Sequence, residues 1–240
     1  MLVKQHLARL IDDKNEVIEI TLCALLAGGH VLLEDVPGVG KTTFIKALAK
    51  LLGQHMTRIQ FTSDLLPADI IGVEVYDTRT GEFIFHRGPI FTSILLADEL
   101  NRASPRTQSA LLEAMGEGQV TEGRQSHVLP KPFIVFASQN PNDNAGTYEL
   151  PESQLDRFAA KIHMGYPTPR REREILAAAS DKPLHDIPSS ILSVEDIIKL
   201  SAGTDLVHLS DRVISYAKNI IDSSRSSEDI RVGISTRGGV

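Results

Sequence analysis

The stretch VLLEDVPGVGKT, residues 31–42, decides the fold of this chain. It begins as an apolar run that predicts a buried strand, continues through a glycine-rich loop, and ends where a helical pattern starts at Thr42. Small residues let successive backbone N–H groups point at one anion, and the N-terminus of the following helix adds partial positive charge. The pattern therefore predicts a phosphate-binding loop. The residues predicted to bind the nucleotide are Pro37, Gly38, Val39, Gly40, Lys41, Thr42 and Thr43.

Three positions of this loop carry specific expectations. Lys41 is expected to reach the β- and γ-phosphates, and the Thr42 hydroxyl is expected to bind Mg²⁺. Asp35 stands where the usual motif has glycine, and we interpret it as a tolerated variation at the outer edge of the loop. A glycine-rich turn that binds no ligand is the alternative.

Polar residues follow two further apolar runs. Asp98 and Glu99 end the run at residues 93–98, and Asn140 follows the run at residues 133–138. Ligands of doubly wound sheets bind at the carboxyl ends of the strands. Asp98 is therefore expected in the Mg²⁺ shell, directly or through water, Glu99 is expected to polarise the attacking water, and the Asn140 amide is expected to hold that water. The alternatives are a strand that ends in solvated acids and a simple Asn-Pro turn.

The order of the patterns predicts the fold class. Apolar runs predict five strands, at residues 30–34, 58–61, 93–98, 133–138 and 160–164. Helical patterns cover residues 3–27, 42–52, 105–115, 169–179, 194–200 and 211–223. Strands that alternate with helices imply an α/β fold with a parallel sheet covered on both faces. Alternating polar and apolar residues predict hairpins at 73–85 and 119–129, and the loss of strand patterns divides the chain at about residue 166.

Composition excludes several classes of protein. The 240 residues include 25 Lys and Arg against 31 Asp and Glu, a net charge of −6, which disfavours a protein that coats nucleic acid. The lone Cys23 excludes an intramolecular disulfide. The longest apolar stretch is too short and too interrupted to span a membrane. We therefore expect a soluble protein of the cytoplasm.

Several segments resemble the MoxR branch of the AAA+ ATPases, which belongs to the helix-2-insert clade. The matching segments are VLLEDVPGVGKT (31–42), FTSDLLPADII (61–71), DTRTGEF (77–83), LLADELNRASPRTQSALLEAM (95–115) and ASQNPNDNAGTYELPESQLDRF (137–158). The resemblance implies a P-loop NTPase core in residues 1–166, in which the two hairpins are the helix-2 insert and the pre-sensor-1 hairpin. It implies an all-α lid in residues 167–240. Because the chain ends where the sensor-2 helix should begin, we expect that lid to be C-terminally incomplete.

The resemblance also implies roles for single residues. Lys41 and Thr42 match the Walker A motif, Asp98 and Glu99 match Walker B, and Asn140 matches sensor 1. Arg157 matches the arginine finger that acts on a neighbouring subunit, although an ordinary salt bridge with Asp156 or Glu152 is the alternative. Arg237 matches the sensor-2 arginine, which would bring the lid onto the nucleotide. ATP or ADP and Mg²⁺ are the implied cofactors.

Other positions depart from the family pattern or extend it. Asp13-Lys14 stands where relatives usually carry a Gly-Gln pair near the adenine. Gly116 stands where an acid is common, and we interpret it as a residue that loosens the helix end before the hairpin. Arg102 and Arg106 follow the Walker B acids and are candidates to meet the nucleotide of a neighbouring subunit.

The resemblance implies a hexameric ring that hydrolyses ATP and remodels client proteins, among them proteins with a von Willebrand factor A domain. A DNA-associated motor is one alternative, and the acidic balance and acidic hairpins disfavour it. A motor subunit of a metal chelatase is another, because it shares the same core. A GTPase is the least favoured, because the sequence has no Asn-Lys-x-Asp motif to read guanine.

Overall fold

The computed structural model describes residues 2–11, 14–123, 125–141, 146–178 and 187–239. Within these ranges, five parallel strands form one sheet in the order β2-β5-β8-β1-β9. In chain order the strands are β1 (His30–Glu34), β2 (Met56–Gln60), β3 (Gly72–Asp77), β4 (Glu82–Arg87), β5 (Ile94–Asp98), β6 (Gln119–Glu122), β7 (Gln125–Val128), β8 (Ile134–Gln139) and β9 (Phe158–Ile162). The predicted fold class, a parallel sheet covered by helices, is confirmed.

The helices fill the connections between strands and form the C-terminal part of the chain. In chain order they are α1 (Leu2–Leu10), α2 (Asn15–Leu26), α3 (Lys41–Leu51), α4 (Pro67–Ile71), α5 (Pro105–Glu117), α6 (Glu152–Leu155), α7 (Pro169–Ala178), α8 (Val194–Thr204) and α9 (Asp211–Ser226). None of the helices in the described ranges combines the length and the apolar character that crossing a membrane requires.

The sheet is buried on both faces, because its strands send alternate side chains into two hydrophobic cores. In β1, Val31 and Leu33 join the core formed with α1, α2 and α3, where Phe44 is buried. Leu32 points the other way and joins the core formed with α4 and α5, where Leu111 is buried. This double burial explains why the strand is a continuous apolar run in the sequence.

Several predicted elements differ from the structure in number or in bounds. The helical pattern at residues 3–27 is two helices, α1 and α2, rather than one, and the polar sequence DDK at residues 12–14 lies in the connection between them. The last strand of the sheet begins two residues earlier than predicted, at Phe158. Its pairing with β1 sets this start, because Phe158 lies opposite His30, the first residue of β1.

Two antiparallel hairpins extend from the core. Strands β3 and β4 form the first, and β6 and β7 form the second. The hairpins contact each other through a stacked pair, Phe85 and His127, with ring centroids 3.9 Å apart. At the free end of the first hairpin, Tyr76 and Phe83 form an aromatic pair that stays 53% and 68% exposed.

The described residues after Tyr166 contain helices and no strand. Part of this region packs on the core: Ile197 of α8 is buried, and the Ser201 hydroxyl donates a hydrogen bond to the Leu26 carbonyl at 2.7 Å. By contrast, α9 leaves its apolar stripe exposed, including Val213 and Ile220. The division of the chain near residue 166 stays a prediction, and residues 179–186, which include the predicted end of α7, lie outside the described ranges.

Candidate nucleotide site

The loop between β1 and α3 has the backbone geometry of an anion cradle. Gly38 and Gly40 have φ angles of 85° and 90°, in the left-handed region that residues with a side chain rarely adopt. Gly40 is the N-cap of α3, so the helix N-terminus points its free N–H groups toward the loop. The Lys41 ammonium donates a hydrogen bond to the Asp35 carbonyl at 3.0 Å, which folds the side chain back over the loop.

A cleft of about 380 Å³ opens between this loop and the carboxyl ends of β2, β5 and β8. Its walls contain most of the residues that the sequence assigns to the site, and three that it does not. The predicted residues are Pro37, Gly38, Gly40, Lys41, Thr42, Thr43, Asp98, Glu99 and Asn140, and the additional ones are Arg58, Gln60 and Ser138. Residues from four separate segments of the sequence therefore meet in one cleft.

Val39 is the one loop residue of the predicted set whose side chain lies elsewhere. It is buried in the core beside α3 rather than in the wall of the cleft. Only its backbone can therefore face a phosphate, and the contribution of its N–H to nucleotide binding stays a prediction.

Asp98 is held on both carboxylate oxygens. Arg58 donates to Oδ2 from Nε at 3.1 Å and from Nη2 at 2.7 Å. The Ser138 hydroxyl donates to Oδ1 at 2.5 Å. Sequence reasoning missed both partners, since each lies 40 residues from Asp98 along the chain. A charged arginine inside a short strand of the parallel sheet was the signal that could have indicated the first.

Glu99 adopts φ 58° and ψ 46°, a left-handed conformation that is uncommon for a residue with a side chain and that clusters at functional sites. Its N–H donates to the Ser138 hydroxyl at 3.0 Å. The Glu99 carboxylate pairs with Arg102, with Nε and Oε2 3.0 Å apart. Arg102 therefore contacts an acid of its own site, whereas Arg106 is exposed on the first turn of α5.

Asp35 has a structural role in addition to being a variation that the loop tolerates. The residue is buried, and its carboxylate accepts hydrogen bonds from the backbone N–H of Met164 at 2.5 Å and of Gly165 at 2.9 Å. This links the start of the phosphate-binding loop to the segment that leads from β9 toward α7. A glycine at this position would leave both N–H groups without that partner.

Glu34 forms a second link between neighbouring strand ends. Burial alone would raise the pKa of Glu34, but hydrogen bonds from Lys161 and Gln139 outweigh it and hold the pKa below its ordinary value. The carboxylate is therefore ionised at neutral pH, and its contacts with Gln139 and Lys161 join the ends of β1, β8 and β9.

The residues of the cleft fit a magnesium ion that binds together with a nucleotide. The described residues contain no group of three or more His, Cys, Asp or Glu side chains able to hold a metal. Mg²⁺ in nucleotide sites needs only one or two protein oxygen ligands, because phosphates and waters complete its shell. The Thr42 hydroxyl and the Asp98 carboxylate supply oxygens of this kind in one cleft.

Arg157 lies at the edge of the sheet that the amino ends of the strands form, whereas the cleft lies at the edge that their carboxyl ends form. It precedes Phe158, which lies opposite His30 at the amino end of β1, whereas the phosphate-binding loop follows the carboxyl end of β1. A five-residue strand separates these edges by roughly 15 Å. The Arg157 Nη1 donates to the Leu112 carbonyl of α5 at 2.6 Å. The alternative of a salt bridge with Asp156 or Glu152 is not what the described residues show, because Ser235 donates to Asp156 and Arg231 pairs with Glu152.

Gly116 lies beside this arginine, in the last turn of α5, and its interpretation as a residue that loosens the helix end stays a prediction. The helix continues past Gly116 to Glu117. A methyl group built on Gly116 would lie 2.5 Å from Arg157 Nη1, so the flexible end of that side chain would have to shift, and 3.9 Å from Arg237 Nη2.

Arg237 is therefore a neighbour of Arg157 and does not line the cleft. A residue that brings the lid onto the nucleotide of its own subunit would be expected in the cleft. The prediction for the adenine contact cannot be placed in the same way, because Asp13 lies outside the described residues.

Comparison with known proteins shows that the chain is similar to ATPases of the AAA family. Residues 30–160 match the family described as "ATPase family associated with various cellular activities (AAA)". The uncharacterised protein YeaC of Bacillus subtilis is 45% identical over 98% of this chain and 74% of its own length. Chaperone MoxR1 of Mycobacterium tuberculosis is 42% identical over 92% of this chain and 58% of its own length. A crystal structure from Cytophaga hutchinsonii superposes with a TM-score of 0.87 at 36% identity, covering 99% of this chain and 74% of that one.

Proposed function

The chain belongs to the MoxR family of AAA+ ATPases, and from this premise we propose that it hydrolyses Mg²⁺-bound ATP in a homo-oligomeric ring to remodel partner proteins. The observation that carries the proposal is the single cleft that gathers Lys41, Thr42, Asp98, Glu99 and Asn140. Hydrolysis of ATP requires groups that neutralise the charge of the phosphates and a group that positions the attacking water. This set of side chains can supply both.

Each of these side chains has a role that its place supports. Lys41, next to the helix N-terminus, binds the β- and γ-phosphates, while Thr42 and Asp98 hold the Mg²⁺ that accompanies them. Glu99, at the end of the adjacent strand, polarises the water that attacks the γ-phosphate. Asn140 holds that water through its neutral amide without changing the charge of Glu99.

The positions of two arginines support a ring. Arg157 and Arg237 lie at the edge of the sheet opposite the cleft, so neither reaches the nucleotide of its own subunit. A head-to-tail ring joins two different surfaces of the same subunit, so it can bring this edge of one subunit to the cleft of the next. We therefore assign both arginines to the nucleotide of a neighbouring subunit, in a hexameric ring, where Arg157 neutralises charge in the transition state.

The first hairpin supports a role in contacting protein clients. Tyr76 and Phe83 expose a large apolar surface at its end, and exposed aromatic surface marks sites of protein contact. The net charge of −6 also suits a protein partner better than nucleic acid. We propose that the clients include proteins with a von Willebrand factor A domain, and that the ring works in the cytoplasm.

The experiment that tests the proposal measures ATP binding and turnover for the wild type and for Glu99→Gln. The variant is expected to bind ATP as the wild type does, because the phosphate-binding loop is untouched, and to lose about 10²- to 10⁴-fold in turnover. Glu113→Gln is the matched control, since this glutamate is exposed on α5 outside the cleft, and it should retain full turnover. Wild-type turnover in the Glu99→Gln variant would remove Glu99 from its role.

A further inference from the structure

Arg58 forms an ion pair with the carboxylate that is assigned to Mg²⁺. It lies in β2, the edge strand next to β5, where Gln60 is the direct partner of Asp98 in the strand pairing. Both Nε and Nη2 of the guanidinium donate to Asp98 Oδ2, and Nη2 also donates to the side-chain Oε1 of Gln60 at 2.9 Å. Arginine presents its donors as a rigid planar fork, so these contacts fix its orientation.

The pair lies within the nucleotide cleft, and its two members differ in exposure. The Asp98 side chain is only 15% exposed, whereas the Arg58 side chain is 49% exposed. Ser138 holds Oδ1 and thereby fixes the carboxylate, so Arg58 is the member of the pair that has room to move. The guanidinium donates hydrogen bonds to Oδ2, and Ser138 donates to the other oxygen, Oδ1.

We propose that Arg58 is a counter-cation which competes with Mg²⁺ for Asp98 and thereby sets how strongly nucleotide binding depends on Mg²⁺. This rests on the proposed nucleotide site. With no metal present, Arg58 neutralises Asp98 and reduces its repulsion of the phosphates. When Mg²⁺ binds with the nucleotide, Asp98 Oδ2 would interact with the metal or its waters. The guanidinium would then lose part of its hydrogen bonding to Oδ2.

The test measures the dissociation constant of N-methylanthraniloyl-ADP with Mg²⁺ and with EDTA, for the wild type, Arg58→Gln and Arg58→Lys. Arg58→Gln should weaken metal-free binding, because Asp98 is then uncompensated, while binding with Mg²⁺ stays equal or tightens. The dissociation constant in EDTA divided by the dissociation constant in Mg²⁺ should therefore rise about tenfold. This change is within the usual range for coupling between two ligands. Arg58→Lys keeps the charge and should keep the ratio near that of the wild type.

A second pair of variants assigns the effect to Asp98. In an Asp98→Asn background the acid that Arg58 neutralises is gone, so adding Arg58→Gln should no longer change the ratio. Thermal melts of all variants check that each is folded. A merely structural role of Arg58 would weaken binding equally in both buffers and leave the ratio unchanged, and that result would overturn the proposal.

Two other results would also decide the matter. If Arg58→Gln weakened ATP binding in Mg²⁺ but spared ADP, the arginine would be a γ-phosphate ligand, and the competition with Mg²⁺ would be refuted. If the wild type bound neither nucleotide in either buffer, the nucleotide site itself would be contradicted, and the Arg58 proposal with it.

Discussion

At the scale of single residues, Asp35 shows how one carboxylate can position the phosphate-binding loop. Its two hydrogen bonds from Met164 and Gly165 span 129 and 130 positions of sequence, and they fix the loop against the segment that follows the last strand of the sheet. Buried N–H groups that lose their acceptor cost free energy, because no water replaces it. The loop geometry therefore depends on an aspartate that the usual motif lacks.

Asp35→Gly should consequently destabilise the protein even though it restores the usual motif. We expect the free energy of unfolding to fall by about 1–3 kcal/mol, the cost of leaving buried donors unsatisfied. Urea denaturation measures the change. Asp35→Asn keeps one acceptor oxygen, so its free energy of unfolding should fall less. Equal stability of the wild type and Asp35→Gly would contradict this role of Asp35.

The residues that the sequence identifies at this site share one property: each belongs to a short local motif. Lys41, Thr42, Asp98, Glu99 and Asn140 each follow or open an element whose pattern is visible along the chain, and the cleft contains them all. Ser138 carries no such local signal, and the charge of Arg58 within a short strand does not show which acid it contacts. Their contacts depend on which strands are neighbours in the sheet, and a pattern of apolar runs does not give that order.

At the scale of elements, His30 joins β1 to β8 and to the end of α5. Its Nδ1 accepts from the Val135 N–H at 3.1 Å, and its Nε2 contacts the Met115 carbonyl at 3.1 Å. Since Nδ1 acts as an acceptor, the ring is neutral and carries its proton on Nε2. Burial lowers the pKa of His30 below its ordinary 6.5, opposed by the Met115 bond and assisted by the charge of Arg237.

This lowered pKa predicts how stability depends on pH. The unfolded chain takes up a proton at His30 as the pH falls through 6.5, whereas the folded chain does so only at lower pH. Stability from this residue is therefore fully present above pH 6.5 and is lost below it, by at most about 1.4 kcal/mol for each pH unit.

Urea unfolding at pH values on either side of 6.5 measures this loss in the wild type and in His30→Gln, which cannot titrate. The wild type should lose more stability than the variant as the pH falls. Parallel pH profiles for the two proteins would show that His30 is not the group responsible.

The prediction of elements succeeds where a helix or strand has an unbroken pattern and fails at its limits. The central strands are buried on both faces and are found within two residues of their predicted ends. The pattern from Val3 to Ala27 stays amphipathic across the boundary between α1 and α2, so periodicity alone does not separate the two helices. The edge strand β9 alternates exposed and buried residues and pairs on one side only, which leaves its start poorly defined in the sequence.

At the scale of the whole molecule, the parallel sheet gives one subunit two different working edges. The carboxyl ends of the strands form the cleft, and the amino end of β9 presents Arg157 beside α5. If Arg157 completes a nucleotide site, as we propose, that site belongs to a neighbouring copy of the chain. The family resemblance already implies such a finger, while the separation of the two edges is visible only in the folded chain.

The measurement that tests this account most directly is ATP turnover of a mixture of Glu99→Gln and Arg157→Ala subunits. Each variant alone should be inactive, the first because its sites lack the water-polarising carboxylate, and the second because its sites receive no arginine from the neighbour. In an equal mixture, an Arg157→Ala subunit with an intact Glu99 can lie next to a Glu99→Gln subunit with an intact Arg157. We predict that turnover recovers to roughly a quarter of the wild-type value, since one interface in four combines the intact halves. Turnover in the mixture that stays at the level of the separate variants would contradict catalysis shared between subunits.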